Sequence, residues 1–397
     1  MNNNPDKLLS LEGLRGIAAL IVIFDHLHLA FFVEYDEIIA AFLDSRFPSL
    51  PSKALQYFVT GLHDGNFAVW VFWVMSAFVL SKKYFQSVKL KSAEEGSDYL
   101  TRSTIKRYPR LLIPILASVL FAFVLLSSNR MTNNDLALQL GEHTSTGWLP
   151  SFYDFEPSLS RAIKSAAWDA FFDFNRDVTY NTVLWTMEPE FFGSLFLFSL
   201  LSLLGNKKIR WVAYPIILLV IYFLQIHWLN AFVLGIALCD VYVNTGYFSI
   251  FGRIFGRVWI QISTGLIIMV LIGAPNYRDV FHLGIAVLVV AFCLSFTGYT
   301  ALFSARVPVY LGKISFSLYL IHVPILCSAT GLIYKSMEDF VNYPTSAVAT
   351  SVMTIAICIL AAHFFYEYAD KQGIILGSKL ANDVKKAAVT NIPNEPG

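Results

Sequence analysis

Ten stretches of this chain stay apolar over close to the 18 or so residues that a helix needs to cross about 30 Å of hydrocarbon. They lie near 9–32, 65–82, 109–127, 182–204, 211–226, 228–243, 257–273, 280–298, 308–333 and 346–367. Inside a bilayer each backbone amide must be satisfied within its own segment, so the sequence reads as an all-α, polytopic bundle of about ten transmembrane helices. Composition agrees: 56% of the 397 residues are hydrophobic and 14% are charged, against roughly 25% charged in soluble domains. The two stretches flanking His227 are the shortest, and a re-entrant hairpin is the alternative there. The membrane domain is expected over 1–376, with an outer loop of about 128–181, followed by a polar, disordered cytoplasmic tail over 377–397.

Ten spans bring both termini to one side, and the basic residues test which side that is. The segment before the third span holds Lys82, Lys83, Lys89, Lys91, Arg102, Lys106, Arg107 and Arg110, and later segments on the same side add Lys207, Lys208, Arg210, Arg253 and Arg257. The opposite side carries few basic residues, and its long connection is acidic, with Asp135, Glu142, Asp154, Glu156, Asp169, Asp173 and Asp177. The positive-inside rule then predicts both termini cytoplasmic and a multi-pass protein of the plasma (inner) membrane. The run LSRAIKSAAWDAFFDF in that connection reads as an amphipathic helix lying over the outer face, or as a mobile loop. The first apolar run lacks a small-residue cleavage site and is expected to stay as a helix. Four cysteines, all inside apolar runs and without CxxC or Cys/His spacing, predict no disulfide framework and no metal site. Membrane lipids are expected partners; nucleic acid is not.

The charges inside the apolar runs carry the functional signal, because intramembrane ionisable groups are costly and usually face a cavity or a partner. In LEGLRGIAALIVIFDHLHLAF, Arg15 and His26 are eleven residues apart, which returns a helix to within about 20° of the same face. Arg15 either snorkels to headgroups or holds a phosphate or carboxylate; His26, at depth, either makes a buried hydrogen bond or moves a proton. Asp25 and His28 point elsewhere and read as an interfacial cap, with no role assigned. The fourth span opens NTVLWTMEPEFF, placing Glu188 and Glu190 in a first helical turn that favours carboxylates. Glu190 is expected on the outer side with His26, where it would orient the imidazole or bind an acceptor hydroxyl; Glu188 has no assigned role. Trp185 reads as an interface anchor or as part of an acceptor site. In STIKRYPRLLIP, Lys106, Arg107 and Arg110 suit either anionic lipid or the phosphates of a soluble donor. Ser315, Tyr319 and His322, at i, i+4 and i+7, form a polar stripe that lines a cavity or bonds between helices.

These motifs, in this order, resemble the acyltransferase 3 family of integral membrane proteins, which move acyl groups to cell-surface sugars and other hydroxylated acceptors. LEGLRGIAALIVIFDH is similar to the family's opening helix, with its arginine and histidine at Arg15 and His26. WVFWVMSAFVLS, KRYPRLLIP, LWTMEPEF and LGKISFSLYLIHVPIL resemble its later signatures. The resemblance implies an O-acyltransferase using cytoplasmic acyl-CoA, acetyl-CoA most often, as co-substrate, with no permanently bound cofactor and a hydroxylated acceptor such as a cell-envelope glycan. On this reading Arg15, Lys106, Arg107 and Arg110 hold the donor. His26 acts as general base with Glu190 assisting, or forms a covalent acyl-histidine relay. Trp185, Ser315, Tyr319 and His322 line the acceptor side. The competing reading, a transporter or flippase of an envelope precursor, would predict internal repeats or matched broken helices in two halves, and the sequence shows none.

Overall fold

The computed structural model describes residues 8–46, 50–144, 147–274 and 278–390. Among these residues there is no strand. The principal helices are α1 (Leu9–Phe31), α2 (Val33–Arg46), α3 (Leu50–Gly61), α4 (Gly65–Leu90), α5 (Ala93–Ser127), α6 (Met187–Leu204), α7 (Arg210–Phe223), α8 (His227–Asn244), α9 (Val258–Gly273), α10 (Arg278–Ser295), α11 (Arg306–Leu326), α12 (Tyr343–Phe365) and α13 (Lys371–Thr390). Each of the ten apolar stretches contains one of them. Among the described residues six segments are long and apolar enough to cross a membrane, or eight if α8 with Tyr247–Ile254 and α10 with Thr297–Phe303, bent by 88° and 92°, each count as one span. The two remaining stretches form α7 and α9, of 14 and 16 residues, apolar but shorter than the other candidate spans. Large apolar side chains such as Leu219, Phe223, Trp259 and Leu360 stand open on the outside of the bundle, as lipid-facing residues do. The protein is an integral membrane protein.

The pairing of α1 with α11 sets the geometry of the interior. A Cβ on Gly312 would lie 1.8 Å from the Glu12 carbonyl oxygen, and one on Gly16 would lie 2.5 Å from the Gly312 nitrogen. The two backbones therefore touch, the packing that small residues allow between membrane helices. Ten residues beyond the glycines, roughly 15 Å along each axis, come His26 and His322. Elsewhere α7 and α8 are tied by a buried carboxylate: Asp240, fully inaccessible, accepts from Arg210 Nε at 2.5 Å and Nη2 at 3.1 Å, from Tyr214 Oη at 3.1 Å and from Asn244 Nδ2 at 2.6 Å.

One expectation changes and one open alternative is decided. The polar stretch from Gly377, read from composition as disordered, is helical through Thr390, and its last seven residues, 391–397, lie outside the described residues. The reason is a small-residue face. Gly373 and Gly377 approach the backbone of α5 so closely that a Cβ would sit 2.8 Å from the Arg110 carbonyl and 3.0 Å from that of Lys106. The segment of the long connection at Leu159–Phe172, read as an amphipathic helix or a mobile loop, is helical, through a π-turn at Ser165–Asp169. It buries an alanine stripe, Ala162, Ala166 and Ala170, and the Tyr108 hydroxyl of α5 donates to the Ala167 carbonyl at 2.5 Å. Leu159, Ile163, Trp168 and Phe172 remain exposed beside Ser160, Arg161 and Lys164, so its outward face mixes large apolar and basic side chains.

Candidate active site

Four basic side chains converge on one cavity, three of them from a single stretch of α5. Pro109 and Pro114 both lie inside this 35-residue helix, and each removes an intrahelical hydrogen bond. Arg15 of α1 and Lys106, Arg107 and Arg110 of α5 line one cavity of about 300 Å³, together with Ser76, Glu190, Ser315 and Tyr319. Arg107 is anchored: its Nε donates to Ser194 Oγ at 2.8 Å, and its Nη2 pairs with the Glu190 carboxylate, which also accepts from Ser76 Oγ at 2.5 Å. Asp370, buried at the end of the π-turn Tyr366–Asp370, faces Arg15 and Arg110. Basic groups outnumber acidic ones on the cavity wall, which suits an anionic ligand, and a guanidinium presents a fork matched to phosphate.

His26 and His322 lie outside that cavity, beyond Tyr319. The Tyr319 ring meets Phe72 edge-on at 6.2 Å and His322 at 5.9 Å, and its hydroxyl is held by Thr186 Oγ1 at 2.9 Å and the Val183 carbonyl at 3.0 Å. Phe72 and Tyr319 thus form the cavity's inner wall, with the two histidines behind it. His26 Nδ1 lies 2.8 Å from His322 Nε2. His322 Nδ1 lies 2.7 Å from the Tyr319 carbonyl oxygen. A carbonyl only accepts, so Nδ1 of His322 carries the proton; in the neutral pair its Nε2 then accepts from His26 Nδ1–H. The chain of donors leaves the lone pair of His26 on Nε2. Over the His26 ring sits Trp148 of the long connection, 5.4 Å away. Asn133 holds that connection in place by donating to the carbonyls of Leu149 and Phe152, both at 2.9 Å.

The expected residues therefore separate. Arg15, Lys106, Arg107, Arg110, Ser315 and Tyr319 share the cavity, and His322 joins His26. Glu190 departs from expectation: its hydrogen bonds go to Arg107 and Ser76, and it lines the cavity with Arg15 rather than lying beside His26. The cause is that the fourth span starts inside the bundle. Asn181 already donates to the Leu320 carbonyl at 2.6 Å, and the 3₁₀ turn Thr182–Thr186 carries the chain further in before α6 begins. Trp185 does not line the cavity; it is 41% exposed and meets Trp73 edge-on at 6.0 Å. Ser194 and Asp370 were not singled out in the sequence, and Phe72, Ser76 and Thr186 fell inside quoted motifs without a role being assigned to them.

A model of the acyltransferase domain that defines the acyltransferase 3 family matches residues 8–363. The chain belongs to this family. It is also similar to the O-acetyltransferase PaAT-1 of Phomopsis amygdali, 24% identical over 420 aligned positions that cover 91% of this chain and 82% of that protein. No solved structure matches it. Membership makes the protein an acyltransferase, with an acyl donor and a hydroxylated acceptor as its substrates, and the transporter reading gives way to it.

Proposed function

We propose that the protein moves an acyl group, acetyl by preference, from acyl-CoA in the cytoplasm to a hydroxyl of a cell-envelope sugar or similar acceptor reached from the other side of the plasma membrane. The topology that goes with this reading has ten spans and both termini cytoplasmic, so that the basic cavity opens inward. Arg15, Lys106 and Arg110 hold the donor's phosphates at its mouth, and Arg107 is kept in place by Glu190. A cavity of this size is at the lower end of ligand sites, roughly 300–1,000 Å³, so it takes the acyl end of the donor while the nucleotide stays at the entrance. Acetyl is preferred in keeping with the activity named for the Phomopsis amygdali relative.

His26 Nε2 removes the proton of the acceptor hydroxyl as that oxygen attacks the thioester carbonyl. The tetrahedral intermediate then collapses, the C–S bond breaks, and the leaving thiolate takes the proton back from the imidazolium. His322 fills the place that a carboxylate takes beside other catalytic histidines: it fixes the tautomer and ring angle of His26 through Nδ1. The thioester reaches His26 by passing the Phe72–Tyr319 wall. The observation that carries the reading is the His26–His322 hydrogen bond with its tautomer set by the Tyr319 carbonyl. The test compares glycans and lipids of cells carrying the wild-type gene with those carrying His26→Gln, by mass spectrometry. An acyl increment that depends on wild-type His26 supports the reading, and one that persists unchanged in the variant refutes it.

A further inference from the structure

At the far end of α1 from Arg15, two imidazoles and a carboxylate meet from three separate elements. His28 of α1 lies with its Nε2 2.8 Å from Asp36 Oδ2 of α2. Its ring stacks on that of His63, in the turn between α3 and α4, with centroids 3.9 Å apart. One ligand atom from each of the three lies within 4.8 Å of the others. His63 Nε2 is buried with no hydrogen-bond partner, a costly state for a ring nitrogen unless something binds it. Two further carboxylates stand close by. Asp64 caps α4 by accepting from the Phe67 amide at 2.8 Å, and Asp25 packs on Gly65, where a Cβ would lie 2.6 Å from its Oδ2. Neither Asp25, His28 nor His63 lines the cavity or takes part in the transfer as proposed.

We infer that His28, Asp36 and His63 form a binding site for a divalent transition cation of the Zn²⁺ class, at the end of α1 that carries His26. Two imidazoles and one carboxylate make a ligand set that selects zinc over magnesium or calcium, which prefer all-oxygen shells. A tetrahedral ion with bonds of about 2.0–2.2 Å holds its ligand atoms about 3.3 Å apart, so the three side chains close on the ion by rotamer adjustments of roughly an ångström. Asp25 and Asp64 supply outer negative charge that offsets the dication. The ion would clamp the end of α1 to α2 and to the α3–α4 turn. Sequence spacing conceals such a site because positions 28, 36 and 63 lie on three elements. It also gives Asp25 and His28 a role that an interfacial cap does not.

The experiment uses full-length protein without a histidine tag, stripped by chelator in detergent, and titrated with Zn²⁺ alone. Isothermal titration and metal analysis after desalting should both find one retained equivalent per chain, with none for Mg²⁺ or Ca²⁺. His63→Gln and Asp36→Asn should each lose it, while His143→Gln, outside the cluster, should keep it. Co²⁺ added to the wild type reads the site without any variant, through the intense visible absorption of four-coordinate cobalt. No retained zinc in the wild type, an equivalent that survives both cluster variants, equal retention of Mg²⁺, or only the weak absorption of six-coordinate cobalt would each overturn the inference.

Discussion

Replacing His322 by alanine removes the acceptor of the His26 Nδ1–H and leaves that donor unpaired in a site closed by Trp148, Tyr319 and the α1–α11 contact. An orphaned buried polar group costs about 1–3 kcal/mol, and His26 can escape the cost by turning its ring or changing tautomer, either of which misdirects Nε2. At about 1.36 kcal/mol per decade the expected loss in kcat is roughly 5–150-fold. The KM for acyl-CoA should stay within about twofold, because His322 does not line the donor cavity. His322→Gln, whose amide oxygen can accept the same hydrogen, should recover part of the rate. The assay is transfer of a radiolabelled acyl group by purified protein in lipid nanodiscs, with folded fraction checked by size exclusion. Combining His322→Ala with His26→Ala should cost no more than His26→Ala alone, because residues acting as a unit are not additive. Equal kcat in His322→Ala, or losses that multiply in the double variant, would refute the dyad.

Other consequences concern the donor site and the frame. Arg15→Gln and Arg110→Gln should each raise the KM for acyl-CoA by about tenfold or more, in line with about 1.5–3 kcal/mol for a hydrogen bond to a charged group, and donor-dependent thermal stabilisation in detergent should shrink with them. Gly312→Ala places a methyl group where the Glu12 carbonyl stands 1.8 Å away; the helices must part, so both melting temperature and kcat should fall, read by thermal shift and transfer assay. Asp240→Ala removes the acceptor of buried Tyr214 and half-buried Arg210 and should destabilise the α7–α8 pair by about 1–3 kcal/mol, measured by unfolding in detergent, without changing the KM for the donor.

Helix positions were legible because lipid imposes a length and a polarity on every span, and each apolar run contains a helix. The cation set was legible too, since Arg15 is anomalous in its run and Lys106, Arg107 and Arg110 crowd one turn of α5. Partners were harder. Periodicity reports which face of α6 holds Glu190, but not that the segment begins deep in the bundle, so its pairing with Arg107 needed the structure. The His26–His322 contact depends on where two glycines cross, a fact about two helices that neither sequence run contains alone. Local polarity misread the stretch after Gly377 and left the one around Leu159–Phe172 open between a helix and a loop. Their small residues, Gly373 and Gly377 in one and Ala162, Ala166 and Ala170 in the other, mark close backbone packing rather than looseness.

The most direct measurement is the single-turnover rate of acyl transfer by His26→Gln protein whose melting temperature and acyl-CoA binding match those of the wild type. General base catalysis by a positioned side chain contributes about 10²–10⁴-fold, so a loss of that size with donor binding intact is expected. Transfer at the wild-type rate would contradict the role given to His26.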